Sequence, residues 1–142
     1  MAHYNYISVQ LIPAMQAELH VLLSGAGIAA APKHDFHCTL IYDERKEQLT
    51  EPLAKLDPKR EFQANVVALE ILGDGLVFRM TSKDLHAEHI RLEEAGHIHA
   101  YEGYLPHMTL GYDLNKYEIL MLETLMTGWM GRTLTFTAAA YG

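Results

Sequence analysis

The sequence predicts an α+β fold built from two similar strand–helix–strand halves. Three observations carry that expectation. The segment His37-Cys38-Thr39-Leu40-Ile41-Tyr42-Asp43 recurs as His107-Met108-Thr109-Leu110-Gly111-Tyr112-Asp113, identical at five of seven positions and 70 residues further on in a chain of 142. Such a repeat sets the architecture before any other feature does. Each copy follows an apolar strand-like segment and then apolar residues at helical spacing. No linker or low-complexity stretch divides the chain. A single domain over 1–142 is expected, with lobes at about 1–72 and 73–142 and a final strand free to cross over. The two lobes would be related by a pseudo-twofold axis, their sheets facing a central groove and their helices outside.

The elements follow in order. Tyr4 to Ile12 reads as a strand, with Ile7, Val9 and Leu11 on one face and Tyr6, Ser8 and Gln10 on the other. Pro13 suits the first turn of a helix. Met15, Leu19, Leu22 and Ala26 continue it, and Gly25 and Gly27 can end it. Phe36 to Tyr42 is the first motif strand. Phe62 to Leu72 and Leu76 to Thr81 read as strands joined by a Gly73-Asp74-Gly75 hairpin turn. Thr81-Ser82-Lys83-Asp84 supplies a helix start, Leu85, Leu92 and Ala95 a helical stripe, and Gly96 a stop. Leu105 to Tyr112 is the second motif strand. A third helix is expected at Lys116 to Met126 and a last strand at Arg132 to Tyr141.

Bulk properties restrict the function. The net charge of −7 argues against a protein that wraps long nucleic acid, which needs a basic footprint. A small anionic ligand needs only a few donors. A single cysteine, Cys38, excludes an internal disulfide framework. No apolar run approaches the ~20 residues of a membrane span. The start, Met1-Ala2-His3-Tyr4-Asn5, lacks a secretory pattern. A cytoplasmic protein is expected, with no membrane association and no obligatory protein partner.

The repeated motif carries the chemistry. Residues i and i+2 of a strand share a face, so His37 with Thr39, and His107 with Thr109, present polar pairs. Cys38, Leu40 and Tyr42, like Met108, Leu110 and Tyr112, are expected on the opposite, core face. Phosphodiester cleavage needs a base, an acid and donors to the phosphoryl oxygens. Two imidazoles, with an ordinary pKa near ~6.5, supply the first two at neutral pH. Two threonine hydroxyls supply donors. No metal or cofactor is required. A shuffled chain of this composition would contain only about 0.08 copies of His-x-Thr-Leu, in the spirit of counting template matches; this one contains two.

On these two motifs the chain resembles the two-histidine (2H) phosphoesterase superfamily, whose signature is one His-x-Thr/Ser-hydrophobic motif per lobe. The segments Lys33 to Asp43 and Leu105 to Asp113 look most like the small phage anti-CBASS cyclic-oligonucleotide phosphodiesterases. That resemblance implies a substrate, a cyclic di- or trinucleotide messenger of bacterial antiphage defence. It also implies a setting, the host cytoplasm. The catalytic set would be His37, Thr39, His107 and Thr109. Two alternatives remain open at this point: a 2′,3′-cyclic phosphodiesterase acting on RNA ends, and a non-catalytic sponge that only sequesters the messenger. A histidine-based metal binder is the weakest reading.

Other residues have competing roles. Tyr4, Tyr6 and Ser8 should border the groove, and Tyr6 could stack on a base. Trp129 is either a base-stacking lid or, the preferred reading, a plug between the third helix and last strand. Tyr101 and Tyr104 could gate the groove. Glu70 and Arg79 should form a cross-strand ion pair. Lys33 reads as a solvated charge, as do His86, His89, His97 and His99. His3, His20 and His34 have no assigned role.

Overall fold

The computed structural model describes residues 4–28 and 35–142. Strand β1 (Tyr6–Gln10), helix α1 (Pro13–Gly25) and strand β2 (His37–Tyr42) form the first half of the repeat. Strands β3 (Phe62–Leu72) and β4 (Gly75–Thr81), helix α2 (Lys83–Glu94) and strand β5 (His107–Tyr112) follow. Helix α3 (Lys116–Leu125), a 3-10 turn (Met126–Trp129), β6 (Thr133–Phe136) and β7 (Ala140–Tyr141) complete the chain. The fold is α+β. Its seven strands form one curled antiparallel sheet in the order β6-β3-β4-β5-β2-β1-β7. No described helix is long and apolar enough to cross a membrane.

Local chemistry explains the helices. Pro13 opens α1, Leu19 and Leu23 are its buried pair one turn apart, and Gly27 at φ 77° lets the chain turn away. Met15, Leu22 and Ala26, expected on the stripe, pack at its margins. The Ser82 hydroxyl caps α2 by accepting the Leu85 N–H at 3.0 Å. The buried stripe of α2 is Leu85, Glu88, His89 and Leu92, whereas Ala95 is exposed. Two polar residues survive inside that stripe because both are paired. Glu88 accepts from Arg91 at 2.6 Å, and His89 bonds the Leu40 carbonyl at 2.7 Å. Asn115 and Glu118 form a reciprocal capping box at the start of α3.

The sheet is continuous where two facing sheets were expected. The units β1–α1–β2 and β4–α2–β5 meet edge to edge where Cys38 pairs with Met108, so the edges of the two motif strands satisfy each other. One core cluster runs through both units, including Ile7, Leu40, Phe78, Leu110 and Phe136. The expected last strand is also divided. Residues Thr133–Phe136 pair with β3 at one edge, and Ala140–Tyr141 pair with β1 at the other. Between them Leu11 bridges Phe136, and Thr137 N–H donates to the Gln10 carbonyl at 2.7 Å. The C-terminal segment thereby draws the two edges of the curled sheet together.

Both motif strands carry the same irregularity. In β1–β2 the register jumps from Ile7↔Ile41 to Ser8↔Thr39, leaving Leu40 as an extra residue. In β4–β5 it jumps from Leu76↔Gly111 to Val77↔Thr109, leaving Leu110 extra. A bulge of this kind reverses the alternation beyond it. Leu40 and Ile41 are therefore both buried, as are Leu110 and Gly111. Tyr42 and Tyr112 emerge on the face of the His-x-Thr residues, 41% and 45% exposed. This corrects the expectation that they point into the core.

Candidate active site

The two motifs lie on neighbouring central strands running in opposite directions. In an antiparallel pair centred on Cys38 and Met108, His37 stands across from Thr109 and Thr39 across from His107. Each threonine thus neighbours the histidine of the other copy. The imidazoles are held alike. His37 Nδ1 lies 3.1 Å from the Asp35 carbonyl oxygen, and His107 Nδ1 lies 2.9 Å from that of Leu105. A carbonyl only accepts, so both Nδ1 atoms carry protons. In the neutral ring each Nε2 then keeps its lone pair for proton transfer.

The groove in front of this pair holds two adjoining hollows of about 280 Å³ and 580 Å³. Tyr6, His37, Thr39 and Tyr42 line the first, and Val77 and Thr109 the second. His107, Tyr112, His99, Tyr101 and Leu105 line both. A larger hollow of about 670 Å³ around Ser82, Lys83 and His86 contains neither motif. Its size carries less weight than the paired acid–base groups of the groove. Behind the motifs, burial pushes the Cys38 thiol up to about 11, against weaker opposing hydrogen bonds from Tyr104 and the His107 backbone. Cys38 is therefore a protonated core residue, not a nucleophile. Among the described residues no group of three His, Cys, Asp or Glu is arranged to hold a metal ion.

The expected ligand-contacting residues divide. Tyr6 is in the groove, its hydroxyl 2.9 Å from Thr39 Oγ1 and its ring edge-on to Tyr42. Three others are not. Tyr4 packs edge-on against Tyr141 with centroids 5.3 Å apart. Ser8 stands opposite Thr39 but is buried and lines neither hollow. Trp129 is buried in the 3-10 turn, stacked on Phe78, with the Arg132 guanidinium 4.0 Å over its ring. It is the plug and not a lid, because packing the end of α3 onto the sheet needs a large apolar side chain there.

Tyr104 lines the first hollow, but its hydroxyl faces inward. It donates to the Thr39 carbonyl at 2.8 Å, and its ring stacks on His89 at 4.2 Å. His89 in turn bonds the Leu40 carbonyl. These are the two carbonyls at the bulge. Burial pushes the Tyr104 phenol far above the ordinary tyrosine range, so the hydroxyl stays a donor. Tyr104→Phe is expected to cost about 1–3 kcal/mol by leaving the Thr39 carbonyl unsatisfied. Urea unfolding of the two proteins measures this directly; equal midpoints would remove Tyr104 from the support of β2.

The groove also contains residues read from sequence as solvated or apolar-facing. Tyr42, Tyr112 and His99 join it, with Tyr101 stacked on Tyr42 at 6.4 Å. Asp43 brings the 95–106 loop there. Its carboxylate is bound by Arg45 at 2.8 Å and by Ile98 N–H at 3.0 Å, and His97 is buried 3.5 Å away. Arg45 also donates to the Gly96 carbonyl, and Ala100 N–H to that of Tyr42. His97 and His89 are thus buried partners, not solvated groups, whereas His86 is exposed. His20 packs on Phe36 at 4.7 Å. The Arg79–Glu70 ion pair is present at 2.6 Å. Lys33, His34 and His3 lie outside the described residues. The clue to Tyr42 and Tyr112 was their repetition five positions after each histidine; nothing local marked His99.

Comparison with known proteins adds a family. No curated protein matches the chain. The family model of anti-CBASS protein Acb1 matches residues 4–129, a span that includes both motifs, the bulged strands and the loop that carries His99. The chain belongs to the anti-CBASS protein Acb1 family.

Proposed function

We propose that the protein is a metal-independent phosphodiesterase of the two-histidine kind that opens 3′–5′ linkages of cyclic di- and trinucleotide messengers, and so counters CBASS defence in the host cytoplasm. The observation that carries this reading is the antiparallel pair of His-x-Thr motifs, with both imidazoles held by backbone carbonyls through Nδ1. Membership of the anti-CBASS family supports the biological role. The two β–α–β units, with their matching bulges, support a pseudo-twofold two-histidine fold.

The chemistry follows from the atoms. One Nε2 takes the proton of a ribose 2′-hydroxyl, and that oxygen attacks the adjacent 3′ phosphorus. The other imidazole, protonated on Nε2, delivers its proton to the departing 5′ oxygen. The result is a linear product ending in a 2′,3′-cyclic phosphate. Water can then open that ring with the two roles exchanged. Thr39 and Thr109 donate to the non-bridging oxygens, where charge increases. The Tyr6 hydroxyl can donate to Thr39 Oγ1, which frees the threonine's own proton for the phosphate. The exposed rings of Tyr42, Tyr101 and Tyr112 offer stacking surfaces for bases. A net charge of −7 fits a compact ligand better than long RNA.

The purified chain should be incubated with cyclic di- and trinucleotides in EDTA and the products separated by chromatography. Linear products are expected. Activity only on RNA 2′,3′-cyclic ends would replace this reading with the RNA-end phosphodiesterase. Stoichiometric capture without cleavage would make the protein a sponge. Loss of cleavage in EDTA would refute the metal-independent mechanism.

A further inference from the structure

The loop between α2 and β5 brings a third imidazole into the groove. His99 lines both hollows beside His107. Its Nδ1 accepts the backbone N–H of Tyr42 at 3.1 Å. An amide N–H only donates, so this Nδ1 carries no proton and the neutral ring bears its hydrogen on Nε2. That is the opposite tautomer to His37 and His107, whose Nδ1 atoms donate to carbonyls. The His99 ring is also clamped. It meets His89 edge-on at 5.0 Å, Tyr101 at 5.9 Å and Tyr104 at 5.9 Å. The Asp43–Arg45 pair and the Ala100–Tyr42 hydrogen bond fasten the loop on either side of it.

We propose that His99 is a donor-only imidazole of this site, whose Nε2–H holds a non-bridging oxygen of the bound phosphodiester while His37 and His107 exchange protons. This assignment rests on the phosphodiesterase reading above. It divides labour among three imidazoles by tautomer: two present a basic Nε2, and one presents a fixed N–H. Burial, with His89 and His107 nearby, holds the His99 ring below the ordinary imidazole range despite the opposing pull of Glu93. The ring thus stays neutral at neutral pH and keeps its proton. Preorganised donors of this kind act on charge that develops in the transition state.

Two substitutions separate a donor from a mere loop latch. In His99→Asn, the amide oxygen falls near the position of Nδ1, so the Tyr42 bond is kept and the groove donor is lost. In His99→Gln, the amide nitrogen falls near the position of Nε2, so the donor is kept and the latch is lost. With 3′,3′-cyclic di-AMP as substrate, H99N should lose roughly 100-fold in kcat, the scale of one oxyanion donor, with a folding midpoint no lower than that of H99Q, which loses the same ring contacts. H99Q should retain at least about a tenth of the parent kcat, on the same scale. The reverse order, or an H99N kcat within about threefold of the parent, would overturn the proposal.

A second measurement is independent of turnover. In the full chain with 15N-labelled histidine, the Nε2–H signal of His99 should move when the phosphorothioate analogue of cyclic di-AMP is added. An unmoved signal also overturns the proposal. A parent chain that cleaves nothing, yet shows this movement, would sink the phosphodiesterase reading and leave His99 as a phosphate-binding donor. A parent chain that cleaves, with H99N unaffected, would remove His99 alone.

Discussion

Replacing His37 or His107 with alanine is expected to lower kcat by ~10²–10⁴-fold, the usual contribution of one acid–base group. The two losses should not multiply. In the proposed mechanism the imidazoles act on one proton-transfer sequence, so the double variant should fall little below the worse single one. The structure supports equal weight for both, since each ring is oriented by a carbonyl two residues earlier in the chain. The parent should show a bell-shaped dependence of kcat/KM on pH, and each single variant should lose one limb of it. Both rings lie in a half-exposed groove, so folding midpoints should change little. Rates measured across pH for the parent, both singles and the double check this. A full bell retained in either single variant would remove that histidine from proton transfer.

Asp43→Ala is expected to cost about 2–3 kcal/mol of stability, in line with hydrogen bonds to a charged group. It should also lower activity. Burial alone would raise the Asp43 carboxyl, but the Arg45 guanidinium and the backbone N–H groups of Ile98 and Arg45 outweigh it and hold it at about 2. An unfolded aspartate titrates near ~3.9. The carboxylate therefore stabilises the fold fully above that value, and the contribution is lost as pH falls from about 4 through 2. Asp43→Ala should lack this acid-sensitive component of stability. Activity should fall because the loop carrying His99 and Tyr101 loses the contacts that hold it over the groove. Asp113 occupies the same position in the repeat, but it is exposed and sits at φ 53°. Asp113→Gly relieves that backbone conformation and should change stability by no more than about 1 kcal/mol. Thermal or urea unfolding of both variants between pH 2 and 7 tests the contrast; equal losses would refute it.

The repeat made the site legible. Its histidines and threonines alternate with buried residues, and a strand's period of two puts them on one face. The hairpin at Gly73 and the helix start at Ser82 were equally visible, since local turn and capping chemistry determines both. The bulges at Leu40 and Leu110 were not. One inserted residue reverses every side chain after it, and its trace in the sequence is slight: a Leu40-Ile41 doublet in the first copy that becomes Leu110-Gly111 in the second. That is why Tyr42 and Tyr112 belong to the groove and were expected in the core. His97 and His99 escaped for another reason. Their burial depends on Asp43 and Tyr42, more than fifty residues earlier in the chain. Trp129 and the divided last strand were decided in the same way, by tertiary partners on β4, β3 and β1.

In the proposed mechanism both motifs act on one phosphate. A crystal structure with the phosphorothioate analogue of a cyclic dinucleotide tests it most directly. The scissile phosphorus is expected between β2 and β5, with Nε2 of both His37 and His107 within hydrogen-bonding distance of its oxygens and Thr39 and Thr109 on either side. A phosphate held by one motif alone, or bound in the hollow around Ser82 and His86, would contradict it.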